Sequence, residues 1–158
     1  MKYILADTGF WIALLDGSDE LDKQSVAREI FSVIKSSNTQ ILFPSIIYTE
    51  LLRTRFFKTD KINKIKYLED ILNLDIIHKF EETTYIDIDK ALKTTLQEGK
   101  QCKKISFADN IIRLLAKDFQ NNILWFLTFD QCLIEECREF VKVHDKCLEI
   151  AYTHRRDC

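Results

Sequence analysis

The fold is decided near the start of the chain, by the stretch Tyr3-Ile4-Leu5-Ala6-Asp7-Thr8-Gly9-Phe10-Trp11-Ile12-Ala13-Leu14-Leu15. Its first four residues are a short apolar run that ends at an acid, which is the pattern of a buried strand. The segment Thr8–Leu15 is also apolar and predicts a short helix. A buried strand that leads directly into a helix is the first unit of an α/β fold.

Strand and helix alternate along the rest of the chain. Further strands are predicted at Ile41–Phe43, Leu74–Ile77, Ile123–Thr128 and Phe140–Val143. Apolar residues recur every three or four positions between them, which predicts helices over Glu20–Lys35, Pro44–Thr54, Lys61–Leu72, Tyr85–Leu96, Ser106–Phe119 and Asp130–Cys137. This alternation predicts a three-layer α/β/α domain, with a mainly parallel sheet covered by helices on both faces.

Length and composition agree with a single domain. A chain of 158 residues, 46% of them hydrophobic, has enough apolar side chains for one core. It has only three glycines and one proline, which argues against a β sandwich or barrel with many tight turns. We expect one domain over residues 1–150 and a C-terminal tail over residues 151–158.

Charge and cysteine content limit the class of partner. The net charge is −2, so a polyanion must be held by a local basic patch or through bound cations. The five cysteines and three histidines show no zinc-ligand spacing. We recognise neither a signal peptide nor an apolar run of membrane-spanning length, and we expect a cytoplasmic protein with reduced cysteines.

Four acids occupy positions from which they could converge. Asp7 directly follows the first predicted strand, and Asp130 directly follows the strand Ile123–Thr128. Ligands of open α/β sheets bind at the carboxyl ends of strands. Glu50 lies about two turns into the helix after the second strand, and Asp109 lies in the first turn of the helix that precedes the Asp130 strand. We therefore predict a site formed by all four carboxylates.

Such a cluster favours a divalent metal ion. Carboxylates brought together repel one another and raise each other's pKa unless a cation lies between them. Mg²⁺ and Mn²⁺ prefer oxygen ligands, and either ion can activate water and neutralise charge on a phosphoryl group. We predict Asp7, Asp109 and Asp130 as metal ligands, with Glu50 acting directly or through water.

Each acid also has an ordinary structural explanation. Asp7 and Asp130 could cap the helices that follow them, and Asp109 stands three residues after Ser106, as in a capping box. Glu50 could pair with Arg53 on the next turn of its helix. The four explanations would all have to coincide, and we therefore favour the site.

Four motifs contain these acids and together resemble the PIN-domain family. The first is Leu5-Ala6-Asp7-Thr8-Gly9-Phe10-Trp11-Ile12-Ala13-Leu14-Leu15-Asp16, and the second is Pro44-Ser45-Ile46-Ile47-Tyr48-Thr49-Glu50-Leu51. The third is Ile105-Ser106-Phe107-Ala108-Asp109, and the fourth is Leu127-Thr128-Phe129-Asp130-Gln131-Cys132-Leu133. They follow one another in family-like order over residues 4 to about 133.

The resemblance implies a fold, an activity and partners. The fold is a parallel sheet of about five strands between helices, and the activity is Mg²⁺- or Mn²⁺-dependent cleavage of single-stranded RNA. Many members of the family are toxins of toxin–antitoxin pairs, so an antitoxin partner and a homodimer are expected. Two departures bear on the site: Asn110 stands where members often have alanine, and no second acid closely follows Asp130.

Basic residues could hold the RNA. The segment from Arg53 to Lys66 has six basic residues against Asp60 alone and includes Phe56 and Phe57, a combination that suits phosphate contact and base stacking. Arg53, Lys61 and Lys64 are the candidates. The alternative is a solvated helix face, with both phenylalanines in the core or at a dimer contact.

Two further groups of residues could contact the RNA near the acids. Thr8 and Thr128 adjoin two of them and could bind substrate or only cap turns. A second cluster, Lys100, Lys103 and Lys104, precedes the Asp109 helix and could equally be a solvated loop.

Three functions agree with these features. The first is an RNA endonuclease that leaves a 3′-hydroxyl and a 5′-phosphate. The second is a catalytically silent PIN-like module that binds RNA or protein. The third is a metal-dependent phosphatase or DNA nuclease. All four acids are present, which favours an enzyme.

Overall fold

The structure is a computed structural model that describes residues 1–16, 21–100 and 105–153, with residues 98–100 described by their backbone only. The described strands are β1 (Tyr3–Ala6), β2 (Gln40–Pro44), β3 (Ile77–Phe80) and β4 (Ile123–Leu127). The described α-helices are α1 (Thr8–Leu15), α2 (Leu21–Ser37), α3 (Ser45–Leu52), α4 (Lys61–Leu72), α5 (Ile88–Lys100), α6 (Phe107–Asp118), α7 (Gln131–Cys137) and α8 (Asp145–Thr153). Short 3-10 helices cover Arg55–Lys58 and Glu82–Thr84.

The four strands form one parallel sheet in the order β3-β2-β1-β4. β1 is central, and its Leu5 pairs with Leu42 of β2 and with Phe126 of β4. All the strands are parallel, so their carboxyl ends lie together along one edge, which we call the carboxyl edge. The predicted α/β fold with a parallel sheet is confirmed, and the arrangement is consistent with three layers.

The fifth predicted strand, Phe140–Val143, is reduced to a single bridge within the described part of the chain. Val143 forms an isolated parallel bridge with Phe126. The Phe126 amide donates to the Lys142 carbonyl at 2.9 Å, and the His144 amide donates to the Phe126 carbonyl at 3.0 Å. Pairing stops there because residues 138–140 form turns and α8 begins at Asp145.

The predicted strand Leu74–Ile77 was placed three residues too early. The amide of Leu74 donates to Ile71, and that of Ile77 donates to Leu74, so this segment forms turns. β3 runs instead over Ile77–Phe80, with exposed His78 and Lys79. An edge strand has a free side, so polar residues are tolerated there and the apolar pattern shifts toward the preceding turn.

The core holds β1 and α1 in place. Ile4, Leu5 and Ala6 are buried, and the Trp11 ring packs edge-on against Phe43 of β2 at 5.1 Å between centroids. Burying an apolar side chain of this size stabilises the fold by about 1.5–3 kcal/mol. The end of β1 is therefore anchored on both sides, and the next residue in the chain is Asp7.

The last described helix, α8, extends into the C-terminal region. α8 continues to Thr153, past residue 150, and Ala151 is buried, while residues 154–158 of the predicted tail lie outside the described residues. Cys137 and Cys147 are free and buried. Cys132 is disulfide-bonded, which contradicts the expectation that every cysteine is reduced. Of the described helices, none combines the length and the apolar character that a membrane span requires.

Candidate active site

Asp7 ends β1 and caps α1. Its carboxylate is buried, accepting a 2.8 Å hydrogen bond from the Phe10 amide and a 2.5 Å hydrogen bond from the Thr128 hydroxyl. Burial raises the pKa of Asp7 to about 7; the two hydrogen bonds lower it, and the charges of Asp109 and Asp130 raise it. Asp7 therefore caps α1, as the structural explanation from sequence predicts. Burial nevertheless disfavours the charged form of its carboxylate.

Thr128 joins the ends of β1 and β4. It is fully buried, and its hydroxyl oxygen accepts a 3.1 Å hydrogen bond from the Asp130 amide while the hydroxyl donates to Asp7. Asp130 caps α7 through a 3.1 Å bond from the Leu133 amide, and its side chain is exposed. One hydroxyl therefore sets the spacing between two of the predicted acids.

Asp109 comes to the same place from the first turn of α6. Its amide donates to the Ser106 hydroxyl at 3.0 Å, as the predicted capping arrangement requires. Burial and the nearby charge of Asp130 raise the pKa of Asp109 to about 6, and Glu50 adds to the rise while Ser106 opposes it. The charges of Asp130 and Glu50 therefore both act on Asp109.

Glu50 is half-buried on α3 and accepts a 3.4 Å hydrogen bond from the Thr8 hydroxyl. Of the ion pairs formed by described residues, none joins Glu50 to Arg53. Arg53 is exposed at the C-terminal cap of α3. The predicted surface pairing is therefore not present, and Glu50 lies against the start of α1 instead.

We call Asp7, Glu50, Asp109 and Asp130 the acid pocket. Asp7 is coupled to Asp109 and Asp130, and Asp109 is coupled to Asp130 and Glu50. Their oxygens are of the kind that Mg²⁺ and Mn²⁺ prefer. Yet across the described ranges no group of three or more acidic, histidine or cysteine side chains is close enough to hold a metal ion. The carboxylate oxygens are suitable ligands for a divalent cation, but the described side chains do not form a complete set of metal ligands.

Asn110, which departs from the family pattern, is a structural link. It is fully buried, and its amide nitrogen donates to the Ala91 carbonyl at 2.9 Å and to the Thr95 hydroxyl at 3.0 Å. Its oxygen accepts from Arg113 at 3.1 and 2.8 Å. Asn110 therefore ties α5 to α6 beside Asp109, with its side chain fully hydrogen-bonded.

The predicted RNA-binding residues have different surroundings. Arg53 and Lys61 are exposed. The Lys64 ammonium donates to the Phe56 carbonyl at 2.7 Å and to Thr59 at 2.9 Å, and it lies 4.5 Å from the centroid of the Phe56 ring. Lys64 thus stabilises its own segment, while Lys103, Lys104 and the Lys100 side chain lie outside the described residues.

Sequence reasoning missed Glu82. This acid lies just after β3 and is only 8% exposed. Its carboxylate accepts a 2.7 Å bond from the Ser45 hydroxyl and a 3.2 Å bond from the Ile46 amide, at the start of α3. An acid after a strand was the signal used for Asp7 and Asp130, but the misplaced third strand hid it here.

A separate cleft lies between α2 and α4. Its lining is a mixture of apolar and charged side chains: Leu14, Arg28, Phe31, Ser32, Lys35, Tyr67, Asp70, Ile71 and Leu74. The residues of the acid pocket are not part of this lining. The cleft and the acid pocket are therefore two distinct surfaces.

Comparison with known proteins leaves the family open. No protein-family model matches the chain, and no curated protein matches it. The PIN-domain resemblance therefore stays a prediction that rests on the four motifs and on the electrostatic interactions among their acids.

Proposed function

We propose that this protein is a metal-dependent endoribonuclease that cleaves single-stranded RNA at the acid pocket. The observation that carries the proposal is that Thr128 links Asp7 to the Asp130 amide and Thr8 links Glu50 to α1, while the charges of the four acids act on one another. Asp7 and Asp130 lie at the starts of α1 and α7, after β1 and β4, and Glu50 and Asp109 lie on α3 and α6; burial and mutual repulsion raise the pKa of Asp7 and Asp109. A structural role as helix caps does not require acids to be crowded in this way.

The proposed role of each acid follows from its position. Asp7, Asp109 and Asp130 would hold Mg²⁺ or Mn²⁺, which supplies positive charge against phosphate oxygens and lowers the pKa of water when bound. Glu50 orients the attacking water through its free carboxylate oxygen, with Thr8 holding the other oxygen. Thr128 keeps Asp7 and Asp130 in register. Attack in line with the leaving oxygen gives a 3′-hydroxyl and a 5′-phosphate.

The RNA strand would lie along the basic segment that follows α3. Arg53 is three residues after Glu50, and exposed Lys61 begins α4. Their charges compensate for the overall negative charge of the protein and attract phosphates locally. Lys64 contributes less, because its ammonium is already bound within the segment.

The test is cleavage of an unstructured RNA, a single-stranded DNA of the same sequence, and a hairpin RNA. Each is incubated with purified protein in Mg²⁺, Mn²⁺ or EDTA. We expect metal-dependent cutting of the unstructured RNA, with product ends that a kinase and a ligase identify as 5′-phosphate and 3′-hydroxyl. A 2′,3′-cyclic phosphate end, or cutting in EDTA, contradicts the mechanism. Preferential cutting of DNA supports the nuclease or phosphatase alternative.

A catalytically silent binding module is the second candidate. It is favoured by one observation: the Asp7 and Asp130 carboxylates already accept hydrogen bonds as helix caps, without a closed ligand set among the described residues. Such a module binds RNA in EDTA as tightly as in Mn²⁺ and leaves it intact. Filter binding alongside the cleavage assay separates the two functions.

The partners implied by the resemblance are part of the same proposal. An antitoxin predicts a small open reading frame next to the gene and loss of cleavage when its product is added. A homodimer predicts twice the chain mass in light scattering. The cytoplasmic location is a further prediction, which fractionation of cells with an antibody to the protein tests.

A further inference from the structure

We propose that Glu82 is a positioning residue that fixes the start of α3 and thereby places Glu50 in the acid pocket. The inference rests on the proposed function, because Glu50 is given its role there. Glu82 touches neither the acid pocket residues nor the basic segment among the hydrogen bonds formed by described residues. It acts through the helix.

α3 lacks a cap of its own. Its first amides have no partner within the helix, and the residue before it, Pro44, makes no side-chain hydrogen bond to them. Glu82 supplies the missing acceptor from a distant part of the chain, taking the Ile46 amide and the Ser45 hydroxyl on one carboxylate oxygen. A negative charge at a helix N-terminus also interacts favourably with the helix dipole.

Glu82 is itself held rigidly. Its carbonyl oxygen accepts from the amides of Tyr85 and Ile86, both at 2.9 Å, and Ile86 is buried. The Tyr85 ring packs against Phe80, the last residue of β3, at 5.6 Å between centroids. The carboxylate is therefore fixed to the sheet, and α3 is fixed to the carboxylate.

The geometry makes Glu50 sensitive to this contact. Glu50 is five residues after Ser45, or about 7 Å along the helix axis. A tilt of α3 by roughly 10° about its start moves Glu50 by about 1 Å, and a misplacement of about 1 Å costs up to a hundredfold in rate. The buried Glu82 carboxylate accepts hydrogen bonds from two neutral donors and contacts no cation among the described residues. An ion pair therefore does not explain why an acid is buried at this position.

The experiment is a double-mutant cycle in RNA cleavage. Glu82→Ala and Glu82→Gln are each made alone and with Glu50→Gln, and single-turnover rates are measured at saturating Mn²⁺ over a range of protein concentrations, which gives the maximal rate and KM. We expect Glu82→Ala to lower the rate about tenfold with KM unchanged. In the Glu50→Gln background it should lower the rate no further. Glu82→Gln should recover part of the rate, since its amide oxygen still accepts from Ile46.

Asp87→Ala is the matched control. Asp87 accepts a 3.1 Å bond from the Lys90 amide and caps α5, a helix that carries none of the four acids. It should lower the melting temperature as Glu82→Ala does, with an unchanged cleavage rate. Where Glu82→Ala fails to fold, Ser45→Ala, which removes one of the two bonds, takes its place in the cycle.

Three results overturn the inference. Equal fractional losses in the wild-type and Glu50→Gln backgrounds mean that Glu82 does not act through Glu50. An unchanged rate in a folded Glu82→Ala protein removes the positioning role and leaves the proposed function intact. Absence of metal-dependent cleavage by the wild-type protein removes both, and is the one result that the Glu82 variants do not influence.

Discussion

Buried acids have different surroundings in the two halves of the carboxyl edge of the sheet. At the β2–β3 half, one carboxylate, Glu82, meets two donors from the start of α3. At the β1–β4 half, Asp7 shares its surroundings with Asp109 and Asp130, and the pKa of Asp7 rises to about 7. Two hydrogen-bond donors face the carboxylate of Glu82. Two donors also face Asp7, but the charges of Asp109 and Asp130 act on it as well.

The difference separates a structural acid from a candidate catalytic one. Burial by itself is common to Asp7 and Glu82, which are 4% and 8% exposed. Of these two acids, Asp7 is the one on which the charges of other acids act. Repulsion between acids destabilises the folded protein unless a cation offsets it. The acid pocket is thus the half of the edge where a bound cation would relieve repulsion.

The sharpest way to break the comparison is to remove charge from the acid pocket. Asp7→Asn and Asp109→Asn should each lower metal-dependent RNA cleavage by about a hundredfold or more, since each removes a proposed metal ligand. Asp87→Asn, at the start of α5, keeps the same kind of cap outside the pocket and should cleave normally. Rates of both pocket variants within twofold of wild type would show that the crowding has no catalytic purpose.

Glu50 tests the boundary between the two halves, because it belongs to the pocket but lies on the helix that Glu82 caps. Glu50→Gln keeps size and loses charge, and Glu50→Asp keeps charge and withdraws it by one methylene. Both should lower single-turnover cleavage by about ten- to a hundredfold. Calorimetry should show weaker Mn²⁺ binding only for Glu50→Gln. Near wild-type cleavage by that variant would remove Glu50 from the pocket.

The third prediction concerns stability without metal. The folded pKa values of Asp7 and Asp109, about 7 and about 6, lie above the ordinary 3.8. Their contribution is therefore unfavourable to folding as pH rises from about 4 to 7, and it is absent below that window. In EDTA, Asp7→Asn should exceed wild type by about 1–3 kcal/mol at pH 8 and match it near pH 4.

Urea unfolding at pH 4, 6 and 8 measures this difference, and added Mn²⁺ should reduce it by stabilising the wild type. A variant less stable than wild type by about 0.5–2 kcal/mol at every pH would mean that capping of α1 outweighs repulsion. Asp7 would then belong with Glu82.

The smallest expected effect concerns the basic segment next to Glu50. Arg53→Glu and Lys61→Glu should weaken RNA binding for all sequences alike and should each reduce the log–log salt slope by about 0.7. Lys64→Gln is the matched control: its ammonium binds Phe56 and Thr59, so it should lower stability and leave the slope unchanged. Unchanged slopes for Arg53 and Lys61 would place the RNA elsewhere.

Most of the fold could be predicted because its signals are local. β1, α1 and α4 have the predicted bounds, since an apolar run and a helical period are read from neighbouring residues. The third strand was misplaced because exposed His78 and Lys79 interrupt the apolar pattern at the sheet edge. α8 was missed as well, because its buried face consists mainly of Cys147 and Ala151, which give a weak period.

The sequence placed Asp7 and Asp130 after strands, as the structure has them, while their role as a site stays a prediction. Because Asp7 and Asp130 each follow a strand, the sequence predicts that both lie at the carboxyl edge. The Thr128 hydroxyl between them, and the Glu82 carboxylate under α3, depend on distances across the sheet that no local pattern contains. Long-range hydrogen bonds of this kind are a property of packing.

The hydrogen bond between Asp7 and Thr128 joins residues 121 positions apart. During synthesis, the strand that carries Asp7 leaves the ribosome early and the strand that carries Thr128 leaves it late. A nascent chain therefore has no complete acid pocket until β4 is available to pair with β1.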